Sequence, residues 1–380
     1  MRRLVSLVLS AIAAVVLSSG GALSAEAVKI GVVLSLSGPA AVFGIPERDA
    51  IQAAMDKLKA DGKLKRGIEL VIYDDKTNPT EATRMVTQAI SNDKVVTIIG
   101  PGTGGNILAA GPLALRMQVP LLGPAGTMAI TDHKNEFYPW VFRVAPSDRV
   151  DVKVILEDMA KSKAKKIGVF FQEDAYGKTG VDFAKEIGPT LGMEVVETVS
   201  APYAATDLTA QATRLRNAGV EAVFLQVSIS SLGASFVKAA NQVGLTAPAY
   251  ANAGLAQRSF AESVGSDVDG LRVLSIGNLP YDPSDGEAEL AKLLKQAGKV
   301  PQGWGELVGT NGLMTVVAAV NAQGDKEITG ASMRDTIEGL CGYQAFARGK
   351  PCFSKDNHDG WAEDSLVITE LRNKELRTRR

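Results

Sequence analysis

Short apolar runs rich in Val and Ile alternate along this chain with stretches whose apolar residues recur at helical spacing. Strands are expected at 28–34, 68–73, 95–99 and 119–122, with helices at 47–59, 80–90 and 106–117 between them. The pattern restarts after Pro146, with helices at 150–160, 177–191, 208–218 and 232–243 and strands at 167–171, 194–199, 222–225 and 249–251. Strands without polar alternation are covered on both faces, which is the condition of a parallel sheet. Two successive series of this kind predict an α/β protein of two doubly wound parallel-sheet lobes. After residue 286 the chain offers helices at 287–297 and 309–322 and a short one ending near Leu340, too few strands for a third sheet. Those helices must cover sheets already built, so the chain crosses between lobes more than once and the crossings form a multi-strand hinge. The expected division is a signal peptide at 1–27, one lobe from 28–144 with 281–345, and a second from 145–280 with 346–380.

The first residues bear on where such a chain works. Arg2 and Arg3 precede an apolar run from Leu4 to Leu17, and Ala25-Glu26-Ala27 has the small-x-small form of a cleavage site. This is the pattern of a secretory signal peptide, too short in its apolar part for a spanning helix. A periplasmic location follows as the expectation, and with it a compartment poor in soluble nucleotides. The only cysteines, Cys341 and Cys352, are then expected to pair as a disulfide, the alternative being two separate buried thiols. With 41 Lys and Arg against 42 Asp and Glu there is no basic surplus to attract nucleic acid or anionic lipid.

The richest local signal is at 95–110, where an apolar strand enters Gly100-Pro-Gly-Thr-Gly-Gly-Asn106 and runs directly into a helix. Glycines let a ligand approach the backbone, and the first N–H groups of a helix have no acceptor within it. Such a loop is a seat for a carboxylate or phosphate. Gly100, Gly102 and Gly105 also match the spacing of a dinucleotide fingerprint. That reading is disfavoured because the loop follows the third strand, contains Pro101 and lacks the acidic ribose partner. There is no Gly-x-Ser-x-Gly elbow and no phosphate-loop Lys, and His133 and His358 lie without ligand-spaced neighbours, so neither an enzyme nor a metal or organic cofactor is expected.

Several segments in order, Lys29 to Ala40 with Gly44, Tyr73-Asp-Asp75, Ile99-Gly-Pro101, Val119 to Pro124, Phe142-Arg-Val144 and Asp174-Ala-Tyr-Gly177, resemble the periplasmic leucine/isoleucine/valine-binding proteins. These are type I solute-binding proteins of ABC importers. The resemblance implies two lobes joined by three crossovers, closing as a monomer on a small carboxylate-bearing ligand and docking on a permease and ATPase complex in the inner membrane. A sensing module that reports to a receptor would use the same trap. The resemblance further implies ligand contacts from Thr103, Gly104, Gly105 and Asn106 after the third strand, Gly126 and Thr127 after the fourth, and Tyr176, Ser228 and Asn252 in the second lobe. The family's hydroxyl residue in the third-strand loop falls on Gly104 or Gly105 here, with Thr103 or Asn106 as replacements. Its acidic partner for a ligand ammonium would fall near Asn252-Ala-Gly254, where no acid stands. A branched-chain amino acid and a small aliphatic or aromatic acid both remain open as the ligand. Trp304 and Glu306 are expected to serve packing at the start of a long helix, and Trp140 and Phe142 to pack the hinge.

Overall fold

A computed structural model describes residues 26–265, 268 and 270–379; the expected leader up to residue 25 lies outside the described residues. The chain begins β1 (Val28–Leu34), α1 (Ala41–Ala60), β2 (Ile68–Asp74), α2 (Pro79–Ser91), β3 (Ile98–Ile99), α3 (Gly104–Met117), β4 (Leu121–Gly123) and β5 (Val141–Arg143). These five strands pair in parallel in the order β2-β1-β3-β4-β5. The next series is α4 (Asp148–Ala160), β6 (Lys166–Gln172), α5 (Ala175–Ile187), β7 (Glu194–Ala201), α6 (Thr209–Asn217), β8 (Ala222–Gln226), α7 (Ser230–Gln242), β9 (Ala249–Ala251), α8 (Arg258–Val264) and β10 (Arg272–Ser275). There follow α9 (Asp285–Gln296), α10 (Trp304–Gln323), α11 (Gly330–Ile337) and a hairpin of β11 (Val367–Arg372) and β12 (Glu375–Thr378).

Each sheet has an apolar core on both faces, as strands such as Val28–Leu34 and Ala222–Gln226 require. On the first sheet, Ile30, Val32 and Leu34 pack with Ile51 and Met55 of α1 and with Leu307 and Val316 of α10, while Val33 and Ile98 pack on the other face with α2 and α3. α9, α10 and α11 thus return to the first lobe. The second sheet has the order β12-β11-β10-β9-β8-β6-β7, its last two strands antiparallel. The terminal hairpin was not among the expected strands. Its cue is a two-residue turn, Asn373 and Lys374, both at positive φ, which suits the twist of a hairpin.

Differences in the elements have tertiary causes. β3 is two residues long rather than five, although the approach to it already bonds to β1, with Val96 N–H donating to Lys29 O and Thr97 O accepting from Gly31 N–H. α1 starts at Ala41 and carries Pro46 inside it, and packing along α10 sustains this early turn. Phe346, Ala347, Phe353 and Trp361 sit in the first-lobe core, so the final crossing comes later than residue 346. Cys341 and Cys352 form a disulfide closing a loop beside α11. Among the described residues no helix is long and apolar enough to cross a membrane.

Candidate functional site

The strand ends of both lobes meet at a cavity of about 480 Å³, within the range of small-molecule sites. From the first lobe it is lined by the start of α3, the Pro124-to-Thr127 loop after β4, and Phe43 of α1; from the second by Asp148, Asp151, Tyr176 and Ser228. Thr103, Gly104, Gly105, Asn106, Gly126, Thr127, Tyr176 and Ser228 are therefore brought together. Asn252 is not. It is fully buried behind the wall, donating its amide to Gln226 Oε1 and accepting from the N–H of Ala253, so its polar atoms are consumed by the scaffold.

The glycine loop divides its labour differently from the expected seat. A Cβ on Gly100 would lie 1.9 Å from Val33 O, and one on Gly102 would lie 2.6 Å from Ser35 N, so both serve close packing against the end of β1. Gly102 N–H is already donated to Asp75 Oδ2 at 2.9 Å. The groups left for a ligand belong to the first turn of α3, where the N–H groups of Gly104 and Gly105 precede any intrahelical acceptor. Thr103 caps that helix by accepting from Asn106 N–H. Asn106 is 1 % exposed, and its Nδ2 has no hydrogen-bond partner among the described residues. A buried donor in that state is costly unless something arrives to accept from it.

On the other side of the cavity stand two acids that the sequence reading did not pick out. Asp148 and Asp151 occupy the first turn of α4, 2 % and 6 % exposed, and Asp148 Oδ2 and Asp151 Oδ1 have no hydrogen-bond partner among the described residues. Burial pushes the Asp148 carboxyl up to about 7, helped by Asp174 and opposed by Arg143. Burial also lifts Asp151 well above the usual carboxylate range, with Asp148 adding to the rise and Arg143 opposing it. Burial and the neighbouring acids keep the Tyr176 hydroxyl protonated, with the backbone of Gly254 as its partner. The cue available in the sequence was the pair of acids three residues apart directly after the first inter-lobe crossing, which a helix places on one face.

These shifts fix the sign of a pH effect on the protein without ligand. A carboxyl raised by folding contributes stability below its unfolded value that is lost as pH climbs through its folded value. Raising Asp148 from 3.8 to about 7 is worth about 4 kcal/mol across that interval. Glu306, also raised to about 7 by burial, acts in the same direction. The thermal midpoint is expected to fall between pH 5 and pH 8 in scanning calorimetry, and Asp148→Asn to flatten that fall; a midpoint rising over this range would contradict it.

The apolar part of the cavity includes Leu108, Ile229 and Trp304. Trp304 packs edge-on against Phe43 with ring centroids 5.6 Å apart and faces the cavity, so its position is a lining one in addition to packing. Glu306 closes the start of α10 by accepting from the N–H groups of Gln302 and Gly303. Phe142 is fully buried at the hinge and stacks on His358, while Trp140 packs in the first-lobe core. No group of His, Cys, Asp and Glu suited to a metal occurs among the described residues.

The profile of the periplasmic binding protein family matches residues 27–375. Leu/Ile/Val-binding protein homolog 8 of Brucella melitensis is 25% identical over 400 residues, covering 98% of this chain and 97% of its own. Homolog 7 of Brucella abortus is 26% identical over 273 residues, covering 68% and 67%. Among solved structures, a solute-binding protein of an ABC transporter from Rhodopseudomonas palustris BisB5, in complex with 3,4-dihydroxybenzoic acid, superposes with a TM-score of 0.80 at 25% identity, covering 93% of this chain and 96% of that one. By its matched length, its two parallel-sheet lobes and the cavity between them, this chain belongs to the periplasmic binding protein family, of the kind to which the leucine/isoleucine/valine-binding proteins belong.

Proposed function

We propose that this protein is the extracytoplasmic solute-binding component of an ABC importer, that its leader is cleaved on export, and that it delivers a small carboxylate-bearing ligand to a membrane permease. The observation that carries the reading is the unused donor set of Gly104 N–H, Gly105 N–H and Asn106 Nδ2 at one wall of a cavity lined by both lobes. A carboxylate placed there satisfies three donors at once and sits at the positive end of the α3 dipole. Thr127 lies beside them with a hydroxyl that completes the set.

Closure follows if the ligand touches both lobes. Shifting an open-to-closed equilibrium from 1:99 to 99:1 takes about 5.5 kcal/mol of differential affinity, within the roughly 8 kcal/mol of a micromolar complex. Tyr176 lines the cavity from the second lobe, as does Tyr203. Titration calorimetry with amino acids, keto acids and benzoate-type acids is expected to find a ligand of micromolar affinity or better. Tyr176→Ala should weaken that ligand by about 30-fold, the loss expected of a central aromatic anchor. Unchanged affinity in that variant would remove Tyr176 from the site, and an anion-independent ligand would overturn the reading.

A further inference from the structure

We infer that the turn Ala256-Gln257-Arg258 of the second lobe and the strap Pro301-Gln302-Gly303 of the first form a reversible clasp, which holds the lobes together before any ligand arrives and breaks when they part. Neither the ligand nor the donor wall is needed for it.

The two segments lie away from the crossings, so no chain connection keeps them together. Ala256 and Phe260 pack in the second-lobe core with Leu225 and Ala251. Leu294 of α9 and Leu307 of α10, on either side of the strap, pack in the first-lobe core with Ile30. What joins the segments is a set of bonds between the lobes. The N–H of Arg258 donates to Gln302 O at 2.8 Å and its Nε to Pro301 O at 3.1 Å, and Gln257 pairs with Gly303 as a single antiparallel bridge. Only glycine suits position 303, where φ is +138° and a Cβ would fall 2.5 Å from Ala256 O.

Each half is held in shape by its own lobe. On the first-lobe side, the Glu306 carboxylate is buried and accepts from the N–H groups of Gln302 and Gly303 at 2.6 and 2.8 Å, which leaves the carbonyls of Pro301 and Gln302 for the other lobe. On the second-lobe side, Gln257 is buried and its Nε2 donates to Gly254 O at 3.0 Å. The Arg258 guanidinium lies over the Tyr281 ring, 5.0 Å from its centroid, with Nη1 donating to Glu262 Oε1 at 3.4 Å. Halves ordered in advance lose little freedom on meeting, so more of the strength of each bond goes into closure. Hydrogen bonds of ordinary net strength, two of them with a bridge beside, favour the joined state by about tenfold or more. Gly254 and Trp304 both line the cavity, so the joined clasp also fixes the spacing of two of its walls.

Amide hydrogen exchange reads the clasp directly. Arg258 is the first residue of α8, where an N–H has no acceptor within the helix, so protection of its amide depends on Gln302 of the other lobe. The amides of Gln302 and Gly303 bond to Glu306 inside one lobe and serve as controls. In the ligand-free mature chain, read residue by residue, the Arg258 amide is expected to be protected about tenfold or more over an unstructured peptide, yet far less than the amides of β8, which is paired on both sides. A variant gives the second arm. Proline is tolerated at the first position of a helix, and Gln257 before it is already extended at φ −133° and ψ 147°, so Arg258→Pro keeps α8 while deleting both Arg258 bonds. With its fold checked by the thermal midpoint, the ligand-free variant should show a larger radius of gyration than the parent in small-angle scattering. An Arg258 amide that exchanges at the unprotected rate while the controls hold would place the lobes apart at this edge. One protected as strongly as β8 would make the contact a fixed part of the hinge. Either result, or an unchanged radius of gyration in Arg258→Pro, overturns the clasp.

Discussion

Arg143→Ala is expected to cost about 3 kcal/mol of unfolding free energy, from buried acceptors left unpaired and from the loss of an ion pair that is buried on the arginine side. Arg143 is fully buried at the end of β5, where the chain leaves the first lobe. Its Nε donates to Asp359 Oδ1 at 2.7 Å, on the last crossing, and the two residues also pair through their backbones. Its other nitrogens donate to the carbonyls of Ala125, Gly126 and Met128 and to the Thr131 hydroxyl. Alanine would leave those acceptors unpaired beneath the very loop that presents Gly126 and Thr127 to the cavity. Stability and affinity should therefore fall together in denaturant titration and calorimetry. Arg143→Lys should recover only part of either, since an ammonium has three donors where the planar guanidinium has five. Wild-type stability in Arg143→Ala would show that the crossings are held by the surrounding stack of Tyr138, His358 and Phe142 alone.

Gly104→Ala is the second large effect, and it falls on binding. The added Cβ would lie 2.1 Å from Thr127 Oγ1 and 2.6 Å from Thr127 Cβ, separations that side-chain rotation alone does not relieve. Either the start of α3 or the Gly126-Thr127 step must move, and both line the cavity where the ligand is proposed to bind. Because positioning errors of about 1 Å are enough to lose tight polar contacts, affinity should drop by about 100-fold or more. Gly105→Ala is the control, for its Cβ meets nothing within 4 Å and the change improves helix propensity. It should keep the thermal midpoint. Adding Thr127→Gly to Gly104→Ala removes the clash and should restore the midpoint without restoring full affinity. Normal ligand affinity in Gly104→Ala would mean that the donor wall is not where the ligand sits.

Much of the site was legible because it is local in sequence. The turn at 100–106 announces unpaired helix N–H groups through glycine and helix spacing alone, and Ala125-Gly126-Thr127 and Tyr176 are likewise contiguous with strand ends that a doubly wound sheet must point at its cleft. What escaped was non-local. Gly100 and Gly102 look the same as Gly104 in sequence, yet β1 claims them because Val33 and Ser35 pass behind that part of the loop. Asn252 stands near the place for an ammonium partner, but Gln226 from the neighbouring strand consumes its amide. Asp148 and Asp151 belong to no expected site, and Trp304 only to packing at a helix start, until the lobes bring all three to one cavity.

Periodicity and turn chemistry by themselves determined the two α/β series, the order of their elements and the donor loop, since each depends on backbone geometry within a few residues. Only the tertiary structure decided that the acidic wall comes from α4, that the terminal hairpin completes the second sheet, and that Arg143 ties two crossings to the cavity loop after β4. The reason is dielectric as much as geometric. A carboxylate or guanidinium takes its chemical character from whether water reaches it and what charge stands opposite, and both are set by chain segments hundreds of residues apart.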